Sequence, residues 1–156
     1  MTKIQALVVS AALSIGMAAP VSAGVNDPEV LIYRFSGVLD DGGLNNAGVA
    51  TSFHCTNFSG ATENIRVVIR DAVGGLKGNV PLPVDHLATR TISTHGTQAY
   101  NEDFVMTGLV AQGTAAIAAT SINVICTAVT LDASTTAPVG VALRGIRFNP
   151  VPGSQE

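Results

Sequence analysis

The sequence has no tryptophan, only seven aromatic rings (five Phe, two Tyr) and two cysteines, and just 12% of its 156 residues are charged. Each scarcity removes a class of function. Without stacked rings there is no platform on which sugars or unpaired bases usually lie. Eight Lys and Arg against eleven Asp and Glu leave no basic run that would hold a phosphate backbone, so nucleic acid is not an expected partner. The cysteines lack CxxC spacing and Cys126 has no neighbouring histidine, which argues against thiolate metal binding or redox work. HxH, HExxH and GxSxG are all missing. Beyond the first two dozen residues, no stretch sustains helical apolar periodicity or the length of a membrane span.

What is present begins with MTKIQALVVSAALSIGMAAPVSA: a lysine at the front, an apolar run from Ile4 to Val21, and small residues at Val21-Ser22-Ala23. This is the pattern of a secretory signal peptide over residues 1–23, cleaved before Gly24. No cysteine follows the cleavage point to carry a lipid, so the expected product is exported, to the periplasm or the medium. Its organisation reads as one domain over residues 24–149 and a Pro-limited tail over residues 150–156. Loss of Lys3 leaves seven basic residues against eleven acidic ones.

The longest run of small and β-branched residues, GTAAIAATSINVICTAVTL from Gly113 to Leu131, carries no charge and reads as central strand, broken at Thr120–Asn123 into two segments. Around it, alternation of apolar and polar residues marks further strands at Val30–Val38, Gly48–Asn57, Asn64–Val73, Leu87–Thr94 and Val139–Phe148. Leu76–Pro83, with Gly78, Pro81 and Pro83, suits only a loop or a sheet edge. Gln98–Val110 reads as a loop or a short helical turn. Clusters such as Asp40-Asp41-Gly42-Gly43-Leu44-Asn45-Asn46 are turns, because Gly, Asn and Asp accept positive φ and cap their own backbone. The expectation is an all-β fold: a two-sheet antiparallel β-sandwich of seven or eight strands, immunoglobulin-like in architecture only.

Two cysteines in an exported chain imply one disulfide, Cys55–Cys126, and both lie on the apolar face of their strands. Their separation of 71 residues suggests a bridge between the sheets and a closed loop worth roughly 4 kcal/mol in the chain-entropy picture.

The segments TSFHCTNFSGATENIRVVIRD, HLATRTISTHGT, QGTAAIAATSINVICTAVTLDA and GVALRGIRFNPVPGSQE resemble a group of small exported bacterial β-sandwich proteins without assigned function. The resemblance spans most of the chain after residue 23. It implies export and a sandwich, and it implies no catalytic residue.

Candidate chemistry is sparse. His54, His86 and His95 have no ligand spacing, and His95-Gly96 reads as a turn, so surface or capping roles are expected. Asp40, Asp41, Asn45 and Asn46, like Asn101-Glu102-Asp103, offer oxygen ligands but do not match a calcium loop. Asp85-His86 lacks a nucleophile elbow, and Asn57-Phe58-Ser59 reads as a turn. No catalytic, cofactor or metal residue is assigned. One surface feature stands out: Arg66, Val68 and Arg70 should form a row on the solvent side of their strand, a candidate partner face on an acidic protein. The expected function is a non-catalytic exported module that contacts another protein or the cell envelope. The competing expectation is a small metal-binding protein or hydrolase.

Overall fold

The structure is a computed structural model that describes residues 24–148; the expected signal peptide and tail lie outside the described residues. There the chain is all strand and turn: β1 (Val30–Asp40), β2 (Val49–Asn57), β3 (Glu63–Arg70), β4 (Leu76–Val84), β5 (Thr89–Ser93), β6 (Asp103–Phe104), β7 (Val110–Ala119), β8 (Val124–Asp132), β9 (Gly140–Leu143) and β10 (Gly145–Arg147). They form two five-stranded sheets, ordered β10-β1-β7-β3-β4 and β6-β5-β2-β8-β9. No helix occurs among the described residues, so none is long and apolar enough to cross a membrane.

The sandwich follows from alternation. In β3, Ile65, Val67 and Ile69 are buried, while the residues between them stay partly accessible. Phe35 of the first sheet meets Phe53 of the second edge-on, ring centres 5.7 Å apart. Ile32, Val38, Ile92, Ile117 and Val124 complete the same core. With no helix among the described residues to cover them, stripes of one apolar residue in two bury themselves against a second such sheet.

Several expectations are refined here. The described residues form ten strands rather than seven or eight, because Gln98–Val110 contributes the two-residue β6 and the last strand divides at Arg144 into β9 and β10, one for each sheet. The pairing of β5 with β6 is parallel; every other pair is antiparallel. The stretch Gly113–Leu131 does break at Thr120–Asn123, but its halves belong to opposite sheets. Leu76–Pro83 falls within β4, an edge strand, as its prolines require.

The disulfide forms between Cys55 and Cys126 but does not bridge the sheets. Both cysteines sit in the second sheet, directly opposite one another on neighbouring strands β2 and β8. Their Cα atoms are 4.2 Å apart, the spacing of facing residues in an antiparallel ladder and not of sheets packed about 10 Å apart.

Candidate functional site

The outer face of the first sheet gathers the described chain's least committed charge. Residues directly opposite one another in a sheet share a face. Arg34 of β1 faces Ala116 of β7, which faces Val68 of β3; Ser36, Thr114 and Arg70 make the next row, and Ala118 faces Arg66. Thr114, Ala116 and Ala118 are short, so β7 forms the floor of a trough. Arg34 stands on one bank, Arg66 and Arg70 on the other.

The expected row Arg66, Val68 and Arg70 therefore exists on the outer face, but its two charges differ. Arg66 donates from Nε to Glu29 Oε2 at 2.6 Å and from a terminal nitrogen to Asn79 Oδ1 at 3.0 Å. Glu29 also accepts from Asn64 Nδ2, and its hydrogen bond raises the Arg66 pKa above the ordinary value. Among the described residues Arg70 donates only to the Gly74 carbonyl, at 2.8 Å. Arg34 lies over the Phe148 ring, 5.7 Å from its centre. Neither Arg34 nor Arg70 nor Arg144 has an ion-pair partner among the described residues. The sequence points to the face and to Arg70, while Arg34 is legible as the outward residue between Tyr33 and Phe35. That β1 and β3 flank β7 is not legible there.

A second constellation lies at one end of the sandwich, in segments whose composition reads only as turns. His95 is buried. Its Nδ1 is 3.0 Å from Asp40 Oδ2 and its Nε2 2.9 Å from the Ala47 carbonyl. Both partners can accept, so either ring nitrogen finds an acceptor for its proton. Asp40, also buried, accepts from Thr107 Oγ1 through the same oxygen and from the Gly42 amide through the other. Asp41 accepts from the amides of Gly43 and Val49. Its carboxylate lies where a Cβ on Gly48 would be, and Gly48 has φ of +71°, so glycine is required there twice over.

The potential ligand atoms of Asp40, Asp41 and His95 lie within 4.8 Å of one another, close enough for one cation to reach all three. Each of these groups is already hydrogen-bonded within the chain, tying together the end of β1, the loop after it and the segments that follow β5 and β6.

The remaining candidates are dispersed. His54, half-buried on the outer face of the second sheet, shares a hydrogen bond with Thr91 and meets Tyr100 edge-on at 4.6 Å. Burial lowers its pKa, and the nearby Glu102 charge partly opposes that shift. His86 Nδ1 accepts from the Gly60 amide and Asp85 from Thr62, so both brace the turn beside Asn57. The Asn57 side chain is buried and bonded to Ala61, Val84 and Ser59, which makes its sequon a structural turn. Glu63, which by its sequence neighbours ends a turn, is fully buried at the start of β3 with the Thr120 hydroxyl donating to Oε2. Glu102 accepts from Ser93 and from the Thr97 amide. Nothing local in the sequence marks Glu63 as buried or Glu102 as hydrogen-bonded, because their partners come from distant or irregular segments. Comparison with known proteins finds no family model, no curated protein and no solved structure that matches this chain.

Proposed function

We propose that this protein is a non-catalytic exported module that binds an acidic surface of another envelope or extracellular protein through the outer face of its first sheet. The observation that supports this most is the placing of Arg34 and Arg70, without ion-pair partners among the described residues, on opposite banks of a trough floored by Thr114, Ala116 and Ala118. A flat sheet with fixed cations and a low centre suits a complementary acidic strand or loop. Export to an oxidising compartment accords with the Cys55–Cys126 bridge. The likeness to small exported bacterial sandwiches, and the loosely immunoglobulin-like reading of the architecture, belong to the same proposal. Changing Arg34 and Arg70 together to Ser should leave the melting temperature nearly unmoved and abolish salt-sensitive capture of an acidic partner from an envelope extract. Capture that persists equally at low and high salt removes this face.

The competing reading, a metal-binding protein, has one place to be tested: Asp40, Asp41 and His95. A cation ligated by His95 must displace one of the ring's two hydrogen bonds, to Asp40 or to Ala47. A stoichiometric metal on the purified protein, with a melting temperature that falls on chelation, would favour that reading.

A further inference from the structure

At one end of the arginine face, β10 packs beside β1 and opens a cleft of about 490 Å³ lined by Arg34, Ser36, Thr114, Arg144 and Ile146 over Phe35 and Ala115. The size is that of a small-ligand site, which runs from roughly 300 to 1,000 Å³. Its making is local. Ile146 pairs with Arg34, and Gly145 pairs with Phe35. A Cβ on Gly145 would stand 2.6 Å from the Phe35 ring, so glycine lets β10 settle against that ring. Arg144, the residue between β9 and β10, then joins Arg34 at the same cleft.

The lining is selective in charge. Among the described residues, two arginines enter it and no carboxylate does, in a chain whose acids outnumber its bases eleven to eight. Neither guanidinium has an ion-pair partner among the described residues. The hydroxyls of Ser36 and Thr114 add neutral donors and exposed Ile146 supplies the apolar wall, while Phe35 and Ala115, whose side chains are buried in the core, lie beneath the floor. Guanidinium forks match carboxylate and phosphate oxygens in pairs. We infer that this cleft binds an amphipathic oxyanion, a carboxylate or phosphate monoester bearing a short apolar group, with Arg34 and Arg144 on the anion and Ile146 on the apolar part. This goes beyond the proposed partner face, because it needs Arg144 and Ile146 and does not need Arg70.

Calorimetric titration of the purified protein with hexanoate, hexyl phosphate, hexanol and inorganic phosphate tests it. At least one of the two amphiphiles should saturate a single site, and which of them binds more tightly separates carboxylate from phosphate ligands. Hexanol and inorganic phosphate should each bind at least about tenfold more weakly, since each keeps half of the recognition. Arg144→Gln and Ile146→Ser should each weaken the amphiphile by about fivefold or more, while Arg70→Gln leaves it unchanged. Failure of both amphiphiles to saturate overturns the inference. So does hexanol binding as tightly as either, or undiminished affinity in Arg144→Gln with the fold intact by circular dichroism. In the unmodified protein, absence of amphiphile binding with partner capture present sinks the cleft alone; amphiphile binding without partner capture sinks the partner face alone.

Discussion

The outer faces of the two sheets are both rich in polar side chains, and they use them oppositely. On the second sheet the groups are matched across the strands. Thr56 bonds Thr89 at 2.7 Å, His54 bonds Thr91 at 3.0 Å and Ser52 bonds Ser93 at 2.7 Å, with Glu102 of the following loop closing over Ser93. Each pair follows the β2–β5 register, so the polar surface is part of the sheet's own bonding. On the first sheet Arg66 alone is held by a carboxylate, while Arg34, Arg70 and Arg144 have none among the described residues. A polar group whose bonds are met within the chain stabilises the fold, and one whose bonds are not met is available to a ligand. The second sheet's face is therefore structural and the first sheet's face is the place for recognition.

The largest test of that division is the covalent tie in the second sheet. Replacing Cys55 and Cys126 together by Ala should lower unfolding free energy by about 2 to 5 kcal/mol in denaturant titration while leaving strand content in place. The bridge joins residues already opposite in a ladder, so the strands remain paired without it. Loss of hexanoate binding in this variant under native conditions would contradict the division, because the cleft belongs wholly to the first sheet and the β9–β10 crossing.

A smaller effect should come from His54. Burial depresses its pKa below the ordinary value of about 6.5. As pH falls below that value, the unfolded chain takes up a proton that the folded chain refuses, so stability falls until the folded ring is protonated too. Above it, the residue adds no pH dependence. Glu102 is the charge that moderates the shift, and Thr91 and Tyr100 are its other neighbours. His54→Gln should flatten the decline in melting temperature on the acid side of neutrality relative to wild type. His86 and His95 remain in both proteins and cancel in the difference. Parallel pH profiles would show that the ring is not held neutral by burial.

Part of this contrast is legible in the sequence. The alternation in VLIYRFSGV and NIRVVIRD sets Arg34, Arg66 and Arg70 outward, and the shared apolar face of Cys55 and Cys126 announces their bond. Which sheet each strand joins is a different matter. Burial alternates residue by residue and is written locally, whereas pairing is decided among strands far apart in the chain. Hence the two halves of Gly113–Leu131 lie in different sheets, and the bridge lies within one. His95 shows the same limit: its burial depends on Asp40, 55 residues away, and Thr94-His95-Gly96-Thr97 carries no sign of that partner.

The finest test separates two arginines four residues apart on one strand. Arg66 is two-thirds covered and holds Glu29, with Asn79 as a second acceptor. Arg70 is exposed and, among the described residues, reaches only a turn carbonyl. Arg66→Ser should therefore cost up to about 1 kcal/mol, the upper end for a partly exposed ion pair, and more at low salt than at high. Arg70→Ser should stay within about 0.5 kcal/mol of wild type at any salt. Partner capture should rank them in the opposite order. The Arg66 guanidinium is already neutralised by Glu29, so an acidic partner gains little from it, whereas Arg70 offers its full charge. If Arg66→Ser impaired capture more than Arg70→Ser at equal stability, the charge that matters would be the paired one, and the distinction between matched and unmatched polar groups would fail on the face where it was drawn.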